Sequence, residues 1–141
     1  MRIKTIVIEV ERFTDIGFIE WLLVDNGRIK IRLGVVYAPQ ETVTSAKDLE
    51  KMYNNIQKHA MIADNEKQIL LLVGDFNCKV GKFIDGNKET VTKGGRLLLK
   101  LIRNNNLYLI NSLSEKTKGL WTRLQGIQKS VIDHQFLIFD G

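Results

Sequence analysis

The feature that most constrains the fold is an apolar run that ends abruptly in polar residues. Residues 69–73 read Ile-Leu-Leu-Leu-Val, and Gly74-Asp75-Phe76-Asn77 follows directly. A short apolar run bounded by such residues is typical of a buried strand. On an extended backbone, side chains two positions apart share a face, so we expect Asp75 and Asn77 to point the same way. A carboxylate beside a carboxamide can hold a water and a phosphate oxygen together, as metal-assisted phosphodiester hydrolysis requires.

A second interpretation of these residues involves no chemistry. Glycine, aspartate and asparagine are common turn residues, and many strands end in such a turn. Gly74-Asp75-Phe76-Asn77 by itself leaves both interpretations open.

Size, composition and charge indicate one globular domain with a basic surface. The chain has 141 residues, of which 44% are hydrophobic, and its formal net charge is +5. Its longest apolar run is far too short to cross a membrane, and its first residues show no signal-peptide pattern. The only cysteine, Cys78, excludes an internal disulfide and suits a reducing, intracellular compartment. The positive charge favours a polyanionic partner, although many basic domains bind none.

Hydrophobic patterning predicts strands and helices in alternation. Asp25-Asn26-Gly27-Arg28 predicts a tight hairpin. A helix is expected to start at Thr44 or Ser45, with Asp48 three residues after Ser45. A second helix is expected after Gly94-Gly95. Strands are expected at residues 3–10, 18–24, 29–37, 69–73, 107–111, about 120–123, and 131–139. Helices packed against such a sheet define an α/β layered fold.

Four short motifs stand in a fixed order along the chain. They are Val36-Tyr37-Ala38-Pro39-Gln40, Gly74-Asp75-Phe76-Asn77, Leu120-Trp121-Thr122-Arg123 and Ser130-Val131-Ile132-Asp133-His134. Their order and spacing resemble the endonuclease/exonuclease/phosphatase superfamily, above all the apurinic-like endonuclease domain of non-LTR retrotransposons. The resemblance implies a DNase I-like fold, a layered β-sandwich flanked by helices. It also implies Mg²⁺-dependent nicking of DNA by a domain joined to a reverse transcriptase, in the nucleus if the target is chromosomal.

The same resemblance implies roles for individual residues. Asp75 resembles the aspartate that orients or deprotonates the attacking water, and it is the expected metal ligand. Asn77 and Tyr37 resemble the residues that contact the scissile phosphate. Asp133 resembles the aspartate that orients a catalytic histidine. Gln40, Trp121 and Arg123 fall at positions expected to bind substrate.

Structural roles remain open for three of these residues. Tyr37 at a strand end could be a core residue with its hydroxyl in water. Trp121 could equally be a core residue. Asp133 lies between Ile132 and His134 in an otherwise apolar stretch, where a carboxylate needs a partner, so a structural hydrogen bond is an alternative.

The chain departs from the family pattern at both ends. The glutamate that holds Mg²⁺ has no convincing match, because Glu9, Glu11 and Glu20 fall where the family has later, non-catalytic strands. The terminal Ser-Asp-His is not matched either. Asp133-His134 fits an earlier Ile-Asp-Tyr motif better, with His134 in place of the tyrosine.

The sequence therefore predicts a single partial domain over residues 1–141, an incomplete member of the DNase I-like fold. Its expected function is that of a Mg²⁺-dependent DNA endonuclease fragment, inactive alone if the missing groups are essential. Two alternatives stay open: a non-catalytic nucleic-acid-binding remnant, and a member of the superfamily that acts on small phosphoesters.

Overall fold

The fold is built on a mixed six-stranded sheet with helices on one face. The computed structural model describes residues 4–80, 91–109, 123–125, 128–130 and 136–138. The helical elements are a short 3-10 turn, η1 (Glu41–Val43), and two α-helices, α1 (Ala46–Asn65) and α2 (Lys93–Asn104). The strands are β1 (Ile6–Phe13), β2 (Phe18–Asp25), β3 (Lys30–Tyr37), β4 (Ile69–Asp75), β5 (Leu107–Leu109), β6 (Arg123–Gln125), β7 (Gln128–Ser130) and β8 (Phe136–Ile138).

The sheet combines an antiparallel meander with one parallel pair. Its strand order is β1-β2-β3-β4-β8-β5. The first three strands pair antiparallel, β3 pairs parallel with β4, and β8 runs antiparallel to both β4 and β5. Parallel neighbours need a crossover connection, which α1 supplies between β3 and β4. Strands β6 and β7 pair with each other in a separate antiparallel ladder.

The hairpin between β2 and β3 forms as its sequence predicts. The Asp25 carboxylate accepts a hydrogen bond from the Gly27 amide at 2.8 Å. The Asn26 side chain accepts from the amides of Arg28 at 3.0 Å and Ile29 at 2.8 Å. Gly27 has φ +86°, a conformation that glycine adopts without steric cost.

Side-chain caps fix where both α-helices begin. The Ser45 hydroxyl accepts from the Asp48 amide at 3.1 Å, so Ser45 rather than Thr44 is the cap of α1. The cap of α2 is Thr92, whose hydroxyl accepts from the Gly95 amide at 3.3 Å. The helix expected after the glycine pair thus begins before it, and both glycines lie in its first turn.

The boundaries of the first strand differ from the prediction. The first strand covers Ile6–Phe13 rather than residues 3–10 and carries a β-bulge between Glu9 and Glu11. A bulge inserts one extra residue into a strand, so the alternation of side chains between the two faces of the sheet does not continue unchanged past it. The strands expected at residues 107–111 and 131–139 are described over residues 107–109 and 136–138. The rest of both, and residues 120–122 of the strand expected at about 120–123, lie outside the described residues.

The hydrophobic core lies between the helices and one face of the sheet. Alternate residues of β2, β3 and β4 project toward α1 and α2, and the opposite residues are half-buried or exposed. The predicted α/β class, with helices packed against a sheet, is confirmed. Among the described residues no helix is long and apolar enough for a membrane span. The largest buried apolar side chains include Ile19, Trp21, Leu49, Met52, Ile56, Leu70, Leu72, Phe76 and Leu98.

A buried polar network joins α1 to the sheet. The His59 ring is 1% exposed, with Nε2 2.5 Å from the Glu11 carboxylate and Nδ1 2.9 Å from the Arg32 guanidinium. Because a guanidinium only donates, Nδ1 accepts and Nε2–H donates, so the imidazole is neutral. Burial lowers the pKa of His59, outweighing the hydrogen bond to Glu11. Burial also raises the pKa of Glu11, but hydrogen bonds from Lys58 and His59 bring it below its usual value.

This network predicts that acid weakens the fold in two steps. As the pH falls below about 6.5, the unfolded imidazole takes up a proton that the folded one resists, so stability is lost from there downward. Glu11 adds a second loss below its unfolded pKa of 4.5 as its folded carboxylate is protonated. Because one histidine, His59, titrates in the first step, the free energy of unfolding changes there by at most about 1.4 kcal/mol per pH unit. Urea unfolding between pH 5 and pH 8 measures it.

Two histidine variants isolate the contribution of His59. His59→Gln should flatten the decline between pH 7 and pH 5, because glutamine does not titrate there. His134→Gln removes the other histidine of the chain and should leave the decline unchanged. An equal slope in His59→Gln and the parent would contradict this account.

Candidate functional site

The carboxyl ends of β3 and β4 place Tyr37 beside Asp75. The parallel pairing runs without a shift from Ile31 opposite Ile69 to Tyr37 opposite Asp75. Neighbouring strands lie about 4.8 Å apart, so the two side chains rise from adjacent positions at one end of the sheet. Tyr37 is 60% exposed, so it is a surface residue and not the core residue that its sequence position also allowed. The two residues therefore lie side by side at a solvent-accessible rim.

Beyond the end of β4, the Asp75 side chain closes a local hydrogen-bonded turn with Asn77. Strand β4 ends at Asp75, and Asn77 has φ +44°, in the left-handed region. The Asp75 carboxylate accepts a hydrogen bond from the Asn77 amide at 2.9 Å. The strand conformation does not continue to Asn77, because the aspartate closes a turn of the kind its side chain favours. That the two side chains point the same way stays a prediction. The turn and the candidate site coincide in the same residues.

Ala38 ties the two strand ends together. Its amide donates to the Asp75 carbonyl at 2.8 Å, and its carbonyl accepts from the Asn77 side-chain amide at 2.7 Å. The carboxamide of Asn77 is thus held in one orientation by the segment that follows Tyr37. Tyr37 is distant in sequence from Asp75 and Asn77, and the hydrogen bonds of its neighbour Ala38 join it to both.

Gly74 permits this close approach. Its φ is +136°, and a Cβ there would overlap the carbonyl of Val36 on the neighbouring strand. An L-residue would have to force β3 and β4 apart just before Asp75. The glycine of the Gly74-Asp75-Phe76-Asn77 motif is therefore required by strand packing, a reason that the sequence alone does not reveal.

The other expected site residues are only partly described. Gln40 is exposed and directly precedes η1, and its carbonyl accepts from the Thr44 hydroxyl at 2.9 Å. It follows Tyr37 by three residues and so lies on the same loop. Arg123 begins β6, whose ladder is separate from the sheet that carries Asp75. Trp121 and Asp133 lie outside the described residues. Their roles remain predictions.

The described residues do not by themselves complete a Mg²⁺ site. No three histidine, cysteine, aspartate or glutamate side chains gather within the described part of the chain. Glu11 is engaged with His59 and Lys58 on the helix side of the sheet, and Glu9 and Glu20 pair with Arg12. Asp75 is thus one carboxylate where Mg²⁺ prefers several oxygens in near-octahedral geometry. A metal held here needs ligands beyond those that the structure describes.

Sequence reasoning missed the residues that support the site from behind. The start of α2 is bonded to the two segments that follow Tyr37 and Asn77. Gly94 bonds to Glu41 after Tyr37, and Thr92 bonds to Lys79 after Asn77. A capping threonine followed by two glycines is a local signal for the helix start. The partner of that helix start is distant in sequence, so no local pattern could identify Glu41.

The fold matches that of a solved retrotransposon endonuclease. The chain resembles the "Endonuclease domain of TRAS1, a telomere-specific non-LTR retrotransposon" with a TM-score of 0.62 and 17% sequence identity, over 94% of this chain. It spans 55% of the length of that structure. An endonuclease/exonuclease/phosphatase family protein from Leptotrichia buccalis C-1013-b matches at a TM-score of 0.46 and 15% identity, covering 85% of this chain and 42% of that one.

Comparison by sequence gives no match. No family model matches the chain, and no curated protein matches it. The fold that the four motifs predict is therefore confirmed, because the chain shares its fold with that solved retrotransposon endonuclease domain.

Gly74→Ala should destabilise the protein by about 3 kcal/mol, in the range of backbone strain combined with overpacking. Gly27→Ala is the matched control, because Gly27 also has positive φ but a Cβ there meets nothing within 4 Å. It should cost only about 1 kcal/mol, the penalty for the left-handed region. Urea unfolding monitored by circular dichroism measures both. Equal losses in the two variants would show that the Val36 carbonyl does not impose the constraint.

Proposed function

We propose that this chain is part of a phosphodiester-hydrolysing domain of the endonuclease/exonuclease/phosphatase type, acting on DNA. The observation that carries the proposal is the group formed by Tyr37, Asp75 and Asn77. The group lies at the carboxyl ends of a parallel strand pair and is joined by hydrogen bonds. The fold shared with a retrotransposon endonuclease domain supports it. Because the chain covers about half of that structure, the full activity is proposed for a longer protein, and a slow, Asp75-dependent residual activity is proposed for this chain alone.

Each of the three side chains suits one step of phosphodiester hydrolysis. The Asp75 carboxylate accepts a proton from water, whose oxygen attacks phosphorus in line with the leaving oxygen. The Asn77 carboxamide and the Tyr37 hydroxyl donate to the non-bridging oxygens, on which charge accumulates. Cleavage of the bond to the 3′ oxygen, which takes up a proton, leaves a 3′-hydroxyl and a 5′-phosphate. A retrotransposon can extend such a 3′-hydroxyl, so fusion to a reverse transcriptase and action in the nucleus belong to the proposal.

The proposal includes dependence on Mg²⁺, with Asp75 as one ligand. When bound, the ion would supply positive charge for the phosphate. The described residues do not complete its coordination, so we expect weak metal affinity in this chain alone. The +5 net charge supports a polyanionic substrate.

The test is nicking of supercoiled plasmid by the purified chain in a series of Mg²⁺ concentrations and in EDTA. We expect slow nicking that requires millimolar Mg²⁺ and falls at least about 10²-fold in Asp75→Asn, the cost of removing a general base. Asp64→Asn is the matched control, because Asp64 is an exposed aspartate at the end of α1 and should leave the rate unchanged. Circular dichroism confirms that each variant folds.

The outcomes separate the candidate functions. Nicking that persists in EDTA or in Asp75→Asn would contradict the proposed site. Hydrolysis of bis(p-nitrophenyl) phosphate without nicking of DNA would favour a small phosphoester as substrate.

A non-catalytic nucleic-acid-binding role is the second candidate. It is favoured by the single carboxylate among the described residues of the rim, together with the basic charge. It predicts that a folded chain shows no nicking but binds duplex DNA equally in Mg²⁺ and EDTA. Binding would then be unaffected by Asp75→Asn and would weaken steeply with salt.

A further inference from the structure

The start of helix α2 packs directly against the backbone that follows Asn77. The Thr92 amide donates to the Lys79 carbonyl at 3.1 Å, and the Thr92 hydroxyl accepts from the Lys79 amide at 3.0 Å. A Cβ on Gly95 would overlap that same Lys79 carbonyl. Val80 and Val91 extend the contact as an isolated β-bridge. The segment after Asn77 is therefore set by the position of this helix start.

Glu41 binds the same helix start through a different residue of its first turn. Its carboxylate accepts a hydrogen bond from the Gly94 amide in the first turn of α2, and a Cβ on Gly94 would overlap that carboxylate. Amides in the first turn of a helix have no partner within the helix, and negative charge is favourable there. The Lys93 ammonium donates to the Thr44 carbonyl just beyond η1, which gives a second tie between the same two segments.

These contacts close a ring around the candidate site. Glu41 follows Gln40 on the loop that leaves Tyr37, and Ala38 on that loop accepts the Asn77 side-chain amide. From Asn77 the chain continues to Lys79, which is bonded to Thr92. The helix start then returns to Glu41 through Gly94. Every step of the ring is a hydrogen bond or a short stretch of chain.

We propose that Glu41 is a positioning residue that fixes the geometry between Tyr37 and Asn77. It does not touch the rim itself. It locks the loop after Tyr37 and the segment after Asn77 onto one helix start, which keeps the Asn77 carboxamide directed at Ala38. The inference deepens the proposed function and rests on it for its catalytic consequence, whereas its structural consequence can be measured without any activity.

The structural test follows the Asn77 side-chain amide by ¹⁵N–¹H correlation spectroscopy. Glu41→Ala should shift or broaden the Asn77 side-chain resonances as well as the Gly94 amide. Glu41→Gln keeps an oxygen acceptor of the same length, so it should retain the Asn77 resonances while Gly94 responds to the lost charge. Glu50→Ala, at an exposed glutamate of α1, is the control and should change neither.

The kinetic test uses the same variants in the Mg²⁺-dependent nicking assay. Glu41→Ala should lower kcat by about tenfold to a hundredfold with little change in KM, because small displacements of positioned groups carry such costs. Glu41→Gln should restore most of the loss. If Glu41→Ala does not fold, Glu41→Asp, which keeps the charge but shortens the reach by one methylene, carries the same expectations.

The two tests fail independently. Unchanged Asn77 resonances in a folded Glu41→Ala protein would overturn the positioning role, whatever the activity. Asp75-dependent nicking that is equally fast in Glu41→Ala and Glu50→Ala would overturn it as well. Displaced Asn77 resonances in a protein that shows no Asp75-dependent nicking would support the positioning role while refuting the proposed function.

Discussion

The parallel pairing of β3 with β4 is the constraint on which the rest of the structure depends. Parallel neighbours cannot be joined by a tight turn, so α1 must cross one face of the sheet, and that crossing creates the core. The pairing also decides which residues meet at the rim. A shift of one residue would send every side chain of a strand to the opposite face, so the buried residues of β4 hold Asp75 opposite Tyr37. Gly74 allows the strands to close on each other at that end.

The two faces of the sheet separate structural polar groups from the candidate site. On the helix side, Trp21 donates to Asn55 at 2.8 Å, Arg32 donates to Gln68 at 2.8 Å, and the Trp21 ring stacks on His59 with centroids 4.0 Å apart. Buried polar groups of this kind are stable only when each has a partner. Glu11 is committed to that network, so an acidic side chain near the start of the chain serves packing. The rim at Tyr37 and Asp75 lies on the opposite face and remains accessible.

Local sequence signals predicted the features whose causes are local. The β2–β3 turn, the Ser45 cap and the strand that begins at Ile69 each depend on residues within a few positions of one another, and the structure has them. The α/β class also followed, because it requires only that strands and helices alternate. The bulge in β1, the overlap that excludes a side chain at Gly74 and the contact of Glu41 with Gly94 depend on partners distant in sequence. A single sequence does not specify such partners.

The turn at Asn77 shows why the structural and the chemical interpretation of Gly74-Asp75-Phe76-Asn77 are not alternatives. One oxygen of the Asp75 carboxylate accepts from the Asn77 amide, and the Asn77 side chain donates to Ala38. Each group is held by one such bond, while the second carboxylate oxygen of Asp75 receives no hydrogen bond from any residue that the structure describes. A polar group held in this way need not reorganise when charge develops beside it, which is the basis of electrostatic preorganisation. Bonds that stabilise a turn can thus also position groups for phosphate chemistry, so finding the turn does not weaken the case for a site.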